Sequence, residues 1–205
     1  MAEEKGPQWA MATPAVLHMV GVGCIMLWAL LAGLVNPGAL PIIGITFVIC
    51  AVATLMLGMV ELRRGDILFG SIDMIFGALV FGAFGLVLCV VTWSWANLGG
   101  LPDILQVDMK MAGWLAVGVG IILLLMLPAV GKVSWTLPVF FVVLCAGLFL
   151  AAWGFFIGAH FGAFPNNISA WLILAFGLFA FYAATVFITN TVFQKPKLPI
   201  GGPAW

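Results

Sequence analysis

Long apolar stretches separated by short polar segments form the main pattern along this chain. A helix rises 1.5 Å per residue, so about 20 apolar residues cross a hydrocarbon layer of ~30 Å. The stretches have that length, and we therefore expect an all-α integral membrane protein with six transmembrane helices. The expected spans are Pro14–Val35, Gly38–Val60, Ile67–Trp93, Lys110–Val130, Trp135–Ile157 and Ile168–Asn190.

Turn-forming residues separate the spans. Asn36-Pro37-Gly38 breaks the first hairpin and Pro165-Asn166-Asn167 turns the last one, while 94–109 is the one long loop. Proline and glycine are typical of such connections. The connections leave no room for a separate soluble domain, so we expect residues 1–205 to form one six-helix membrane domain.

The basic residues predict the orientation in the membrane. Lysine and arginine in short loops mark the cytoplasmic side. The predicted spans place Lys110 alone on one side, which makes the other side cytoplasmic, with both termini there. The first residues lack the features of a cleaved signal peptide, so we expect them to be retained. A multi-pass membrane protein is the predicted class. The residues on the basic side are Lys5, Arg63, Arg64, Lys132, Lys195 and Lys197.

Composition narrows the function. Charged residues make up 7% of the chain and the formal net charge is zero, whereas soluble domains carry about 25% charged residues. A neutral chain without a basic tract is not expected to bind nucleic acid. The two histidines lie far apart and the four cysteines lack a C-x-x-C spacing, so we expect no metal site and no cofactor. No nucleophile or phosphate-binding motif is present, so we expect no enzyme.

Asp73 and His18 are the ionisable side chains within predicted spans. Both helices start on the basic side, which places the two residues at a similar depth of ~7–9 Å. A contact between them is possible if the first and third helices are neighbours. One hypothesis is a proton-accepting station at the inner mouth of a pathway. The alternative is an acid that reaches the interface and a histidine satisfied by packing.

The remaining interior offers few polar groups. Tyr182 lies midway along the last helix, and we expect its hydroxyl to point into the bundle because it needs a partner away from lipid. An interior this apolar cannot bind a large solute with many hydroxyls. A pathway through it would be narrow, with apolar constrictions that pass small solutes.

The segment after the second span follows a known loop pattern. Gly58, Glu61, Leu62, Gly65 and Asp66 follow "G-x-x-E-F-x-x-G-N-T-F-G", and the tail 193–205 is similar to "F-x-L-P-x-G-x-x-P-W". These segments resemble the acetate uptake transporter family, the succinate–acetate permease type, in a chain of similar length with six spans. The resemblance covers nearly the whole chain, and it implies a multi-pass protein of a bacterial or archaeal plasma (inner) membrane.

The chain departs from the family at several positions. At the family's "N-P-A-P-L-G-L" it has the segment 13–19, which keeps only the proline, alanine and leucine of Pro14, Ala15 and Leu17. Phe76 stands at the family's tyrosine position. His18 and Asp73 stand where the family has a glycine and an aromatic residue, so both could belong to one paired change.

The resemblance implies a channel or transporter for small monocarboxylates such as acetate, with or without a coupled proton. It also implies a pathway within each protomer of a ring-shaped homo-oligomer, commonly a hexamer. Leu17 and Phe76 would line apolar constrictions, with Thr13, Pro14 and His18 at the inner entrance and Asp73 nearby. One alternative is a channel for a neutral small solute or for protons that uses His18 and Asp73. The other is an assembly subunit without transport, whose small-residue ridges bind partners.

Overall fold

The computed structural model describes residues 11–97 and 108–203, and within them it has six helices long and apolar enough to cross a membrane. Expectations placed on Lys5, on residues 98–107 and on Trp205 lie outside the described residues. The third span is continuous but contains two kinds of helix. A π-helical segment, Phe76–Ala83, joins the α-helices α3 and α4. The helices are α1 (Thr13–Leu31), α2 (Leu40–Arg63), α3 (Ile67–Ile75), α4 (Phe84–Asn97), α5 (Lys110–Gly131), α6 (Thr136–Ile157) and α7 (Asn166–Phe193).

Helix ends differ from the expected spans by a few residues, for local reasons. α1 stops at Leu31 because Gly33 adopts a φ of 71°, which glycine tolerates without steric cost. The Asn36 side chain accepts a hydrogen bond from the Gly38 amide at 2.9 Å, which stabilises the turn before α2. α2 runs on to Arg63, so Glu61 belongs to a helix and not to a loop.

The six spans form a ring whose order follows the chain. α1 packs between α7 and α2, α2 packs against the third span, and α5 joins the third span to α6. α6 in turn contacts α7, which closes the ring. The chain alternates direction, so the turns and chain ends fall at two ends of the bundle.

We call the end with the start of α1, the α2–α3 turn, the α5–α6 turn and the tail after α7 the basic end. Arg63, Arg64, Lys132, Lys195 and Lys197 all lie there, and Lys110 lies at the opposite end.

Glycines allow the helices to approach closely inside the protomer. A Cβ built on Gly177 in α7 would lie 2.5 Å from the Cβ of Cys24 in α1. Gly120 of α5 lies against the ring of Phe149 in α6, and Gly147 of α6 lies against α7. The ridges at these positions therefore serve packing within one chain, a choice that the sequence left open.

The outer face of α2 is apolar and exposed. Its exposed large side chains recur every three or four residues, as expected for one face of a helix. A soluble monomer rarely exposes so long an apolar stripe, whereas lipid is a suitable environment for it. The residues are Ile42, Ile45, Ile49, Val52, Met56 and Met59.

We expect Gly177→Val to destabilise the protein by about 1–3 kcal/mol, because the added carbons overlap Cys24 in a packed helix contact. Gly118→Val in α5 is the matched control, since nothing lies within 4 Å of a Cβ at that position. Thermal unfolding of both variants in detergent micelles measures the difference. Equal melting temperatures for the two variants would contradict the packing role of Gly177.

Candidate functional site

Glu61, in the last turn of α2, is completely buried and binds the start of α1. Its Oε1 accepts hydrogen bonds from the amides of Ala12 and Thr13, at 2.5 and 2.7 Å, and from the Thr13 hydroxyl at 2.9 Å. The first amides of a helix lack partners within it, and Ala12 at the N-cap has no side-chain oxygen to supply one. Glu61 therefore caps α1 from a neighbouring helix.

Arg64 completes this arrangement, which we call the Glu61 clasp (Glu61, Ala12, Thr13 and Arg64). Its Nη1 lies 2.7 Å from Oε2 of Glu61. The pair sits three residues apart on one helix, a spacing at which side chains meet. A buried carboxylate needs both a counter-charge and hydrogen bonds, and the clasp supplies them.

The turn after the clasp leads directly into α3. Gly65 has a φ of 84°, a left-handed conformation that favours glycine. The Asp66 side chain then accepts a hydrogen bond from the Phe69 amide at 3.0 Å and caps α3.

Asp73 is buried inside the bundle, with 2% of its surface exposed. It lies on the face of α3 that packs against α2. A Cβ built on Gly58 of α2 would lie 3.2 Å from the Cβ of Asp73. Glu61, one turn beyond Gly58, is a like charge that acts on it. The Oδ2 atom of Asp73 has no hydrogen-bond partner in the described chain. Asp73 is thus a carboxyl group in the helix packing and does not reach the lipid interface.

His18 faces a different neighbour. Its Nδ1 lies 2.8 Å from the Pro14 carbonyl oxygen, and its ring lies 6.0 Å from that of Phe181 in α7. Gly21, one turn on, also meets Phe181. His18 therefore points towards α7 and Asp73 towards α2, and no ion pair joins them within the described residues.

Two adjacent cavities lie along the centre of the ring, with volumes of about 50 and 30 Å³. Together we call them the axial cavity. Side chains from all six spans contribute to their walls, and those walls are hydrophobic apart from Gly23. The two parts share the residues Leu27, Val80, Val119, Leu148 and Ile173.

Aromatic side chains close the axial cavity towards the basic end. Phe76 lines the smaller part and is 4% exposed. Its ring stacks on Phe176 with centroids 6.4 Å apart, and Phe176 meets Phe141 edge to face at 6.0 Å. We call these three residues the aromatic barrier. Asp73 lies one turn before Phe76, on the basic side of the barrier.

Phe161 lies at the opposite end of the axial cavity. It lines the larger part together with Leu31 and Met109. The amide of Gly162 donates a hydrogen bond to the Leu31 carbonyl at 2.8 Å, which fixes the Phe161 segment over the end of α1. The axial cavity therefore has an aromatic side chain at each end.

The π-helical segment supplies part of the cavity wall. Val80 and Phe81 both line the smaller cavity, although they are adjacent in sequence. π-helical turns are rare and occur frequently at functional sites. The π-helical segment therefore forms the part of the wall that the middle of the third span contributes.

The predicted pathway residues fall in distinct places. Leu17 packs against the core, and the helical spacing puts it in line with Val20, Cys24 and Leu27, which line the cavity. Thr13 and Pro14 are buried at the start of α1, where Thr13 is held in the Glu61 clasp. Sequence reasoning missed the role of Glu61, although its position three residues before an arginine was an available signal.

The expectation for Tyr182 was wrong. Its side chain is 42% exposed, and its hydroxyl donates a hydrogen bond to the Pro199 carbonyl at 2.5 Å. The partner that this hydroxyl needs is supplied by the tail after α7, which folds back over the outer face of the helix. Tyr182 thus points out of the bundle.

The similarity of this chain to known proteins lies in its fold. No protein-family model and no curated protein matches the sequence. The structure of the bacterial acetate channel SatP superposes with a TM-score of 0.76 and 23% identity, over 95% of this chain and 100% of that chain. The chain has the fold of that channel. This finding confirms the all-α, six-helix membrane fold and the resemblance to acetate transporters at the level of architecture.

We expect Glu61→Ala to lower stability by about 3–5 kcal/mol, because it leaves Arg64 and the first amides of α1 without their partner. Asp66→Ala, which removes an ordinary helix cap in the same turn, should cost about 1 kcal/mol. Thermal unfolding in detergent compares them. A melting temperature for Glu61→Ala that is no lower than that of Asp66→Ala would show that the clasp contributes little to the contact between α1 and α2.

Proposed function

We propose that this protein is a membrane channel or transporter for small monocarboxylates such as acetate, with the axial cavity as its pathway. The observation that carries the proposal is a hydrophobic cavity lined by all six spans, with Phe76 of the aromatic barrier at one end and Phe161 at the other. Likeness in fold to an acetate channel supports the same substrate class.

The size of the cavity agrees with a small solute. One water needs about 10–15 Å³ of such volume, so the larger part, at about 50 Å³, has room for about four water-sized groups. Acetate is of that size. A sugar would exceed the volume and would find no hydrogen-bond partners on hydrophobic walls.

The hydrophobic walls also bear on the form of the solute. Moving an ionised carboxylate into an apolar space without partners is costly, whereas the uncharged acid avoids this cost. We propose that the protonated carboxyl group of Asp73, one turn before Phe76, donates its proton to the solute's carboxylate. The solute then passes the barrier as the uncharged acid, and Asp73 takes up a new proton from the basic end. The unpartnered Oδ2 of Asp73 supports this role.

The entrance in this proposal lies at the basic end. Thr13 and Pro14 form its rim, Leu17 leads to the cavity stripe of α1, and Phe76 is the constriction. His18, in contact with Phe181, stands at the edge of the entrance. We further propose that the basic end faces the cytoplasm of a bacterial or archaeal cell, as its excess of lysine and arginine favours. A ring-shaped homo-oligomer, a hexamer by family analogy, remains part of the proposal.

A neutral small solute is the second candidate, because the same hydrophobic walls suit any small uncharged molecule. Flux through proteoliposomes separates the candidates. Radiolabelled acetate, radiolabelled urea and an internal pH-sensitive dye report on monocarboxylate, neutral solute and proton. Acetate uptake well above that of empty liposomes, with urea excluded, supports the proposal. Urea uptake without acetate uptake favours the second candidate, and no flux at all favours an assembly subunit.

We expect Phe76→Ala to raise acetate flux several-fold and to admit larger monocarboxylates, because it removes the ring that closes the smaller cavity. Phe187→Ala is the matched control, since Phe187 pairs with Phe69 away from the cavity. Initial rates for acetate and butyrate in proteoliposomes measure both effects. Equal rates for wild type and Phe76→Ala would place the constriction elsewhere.

We expect Asp73→Asn to lower acetate flux several-fold at neutral pH but little at acidic pH. At acidic pH the solute already carries its proton, so a residue that supplies one is no longer needed. Asp66→Asn is the control, because asparagine keeps the helix cap. The measurement is the pH profile of initial rates, and parallel profiles for Asp73→Asn and wild type would contradict the proton role.

A further inference from the structure

The segment Leu198–Gly202, which we call the strap, is held firmly across the outer faces of α7 and α6 at the basic end. The Asn190 side chain of α7 exchanges two hydrogen bonds with the backbone of Leu198, each of 3.0 Å. The hydroxyls of Ser134 and Thr136 both donate to the Ile200 carbonyl. The Trp135 amide donates to the Gly202 carbonyl at 2.9 Å. The strap is therefore fixed by hydrogen bonds to both helices and to the residues just before α6.

Between the strap, α6 and α7 lies an open groove of about 730 Å³. It extends along α7 from Tyr182 to Ala175, a length of ~10 Å at the helical rise. Its surface is mainly hydrophobic and aromatic, and Phe140 and Phe179 stack at 3.8 Å in its floor. The groove shares no residue with the axial cavity. Its hydrophobic surface and its length of ~10 Å suit one segment of an extended hydrocarbon chain.

The charged side chains on the elements that form the groove have one sign. Residues 109–205 include four lysines and neither aspartate nor glutamate. Three of them, Lys132, Lys195 and Lys197, are exposed at the basic end near the strap. The N-terminus of α6 opens at the same place and adds a positive partial charge. An occupant with an apolar chain and an anionic head matches both features.

We propose that this groove binds an anionic phospholipid, with one acyl chain along α7 and the phosphate among Lys132, Lys195 and Lys197. Basic pockets beside membrane helices bind such head groups, and each lysine near the surface adds to the attraction. A second copy of the chain fits less well. A two-fold contact through this face would bring two sets of lysines together, and like charges at an interface oppose association. A ring contact would pair the groove with a different surface of the next copy, and the oligomer mass of Ala175→Trp tests that arrangement.

Native mass spectrometry of the full-length protein, purified in detergent and stripped of lipid, tests the proposal. The probes are dioleoyl phosphatidylglycerol and dioleoyl phosphatidylcholine, which share acyl chains and differ in net charge. We expect one phosphatidylglycerol retained per chain and little phosphatidylcholine. Equal retention of the two lipids would overturn the proposal.

One variant tests the lysines that would bind the phosphate, and another tests the groove that would bind the acyl chain. Combined replacement Lys132→Gln, Lys195→Gln and Lys197→Gln should weaken phosphatidylglycerol retention by about five-fold for each lysine removed. Lys110→Gln, at the opposite end, is the control and should bind as wild type does. Ala175→Trp, at an exposed position, should fill the groove and also reduce retention. A loss with Lys110→Gln as large as with the triple variant would contradict the assignment.

Competition and oligomer mass distinguish other occupants. Glycerol 3-phosphate has the anionic head without a chain and should not displace the lipid, so full displacement at equal concentration would overturn the role of the groove. If Ala175→Trp instead dissociates a wild-type oligomer and leaves lipid retention unchanged, the groove is a contact between copies and the proposal fails. These readouts do not depend on acetate flux, so they stand or fall separately from the proposed function.

Discussion

The buried carboxylate of Glu61 is the constraint on which the arrangement at the basic end depends. It caps α1 from the last turn of α2, and Arg64 balances its charge. An ionised group in a membrane bundle is tolerated only when it is paired and hydrogen-bonded, so the two helices cannot slide or rotate freely against each other. The rotation of α1 in turn decides that Val20, Cys24 and Leu27 face the centre while His18 faces α7.

Polar and apolar parts of the centre are separated along the bundle axis. The clasp and Asp73 lie on the basic side of Phe76, and hydrophobic side chains line the cavity beyond it. In the proposed mechanism the solute receives a proton before the barrier. It then passes the barrier and the cavity as the uncharged acid. Polar groups placed inside the cavity would bind the solute and slow its release. The groove under the strap belongs to the lipid-facing surface and has a separate chemistry.

Much of the architecture followed from sequence, and the errors have physical causes. Six spans were predictable because hydropathy over about 20 residues is a local property. Tyr182 was misplaced because its hydroxyl partner, Pro199, comes from a tail whose path no local pattern shows. Their matched depth in the membrane suggested that His18 and Asp73 could meet. Depth does not determine how each helix is rotated about its own axis, and the two side chains point to different helices. Glu61 was noticed only as part of a loop motif. Its spacing to Arg64 was visible in the sequence, but its hydrogen bonds to the start of α1, 48 residues away, leave no local signal.

The sequence by itself determined that this protein lies in lipid. It also determined the number and approximate ends of the helices and the end of the bundle at which the basic residues lie. Those properties depend on composition and on spacing along one helix. The tertiary structure decided which face of each helix turns inward, which carboxyl is paired and which keeps an unpartnered oxygen. It also decided that a hydrophobic cavity lined by all six spans runs along the centre. Such features arise from contacts between residues far apart in the chain, where packing selects one rotation among several of similar hydropathy.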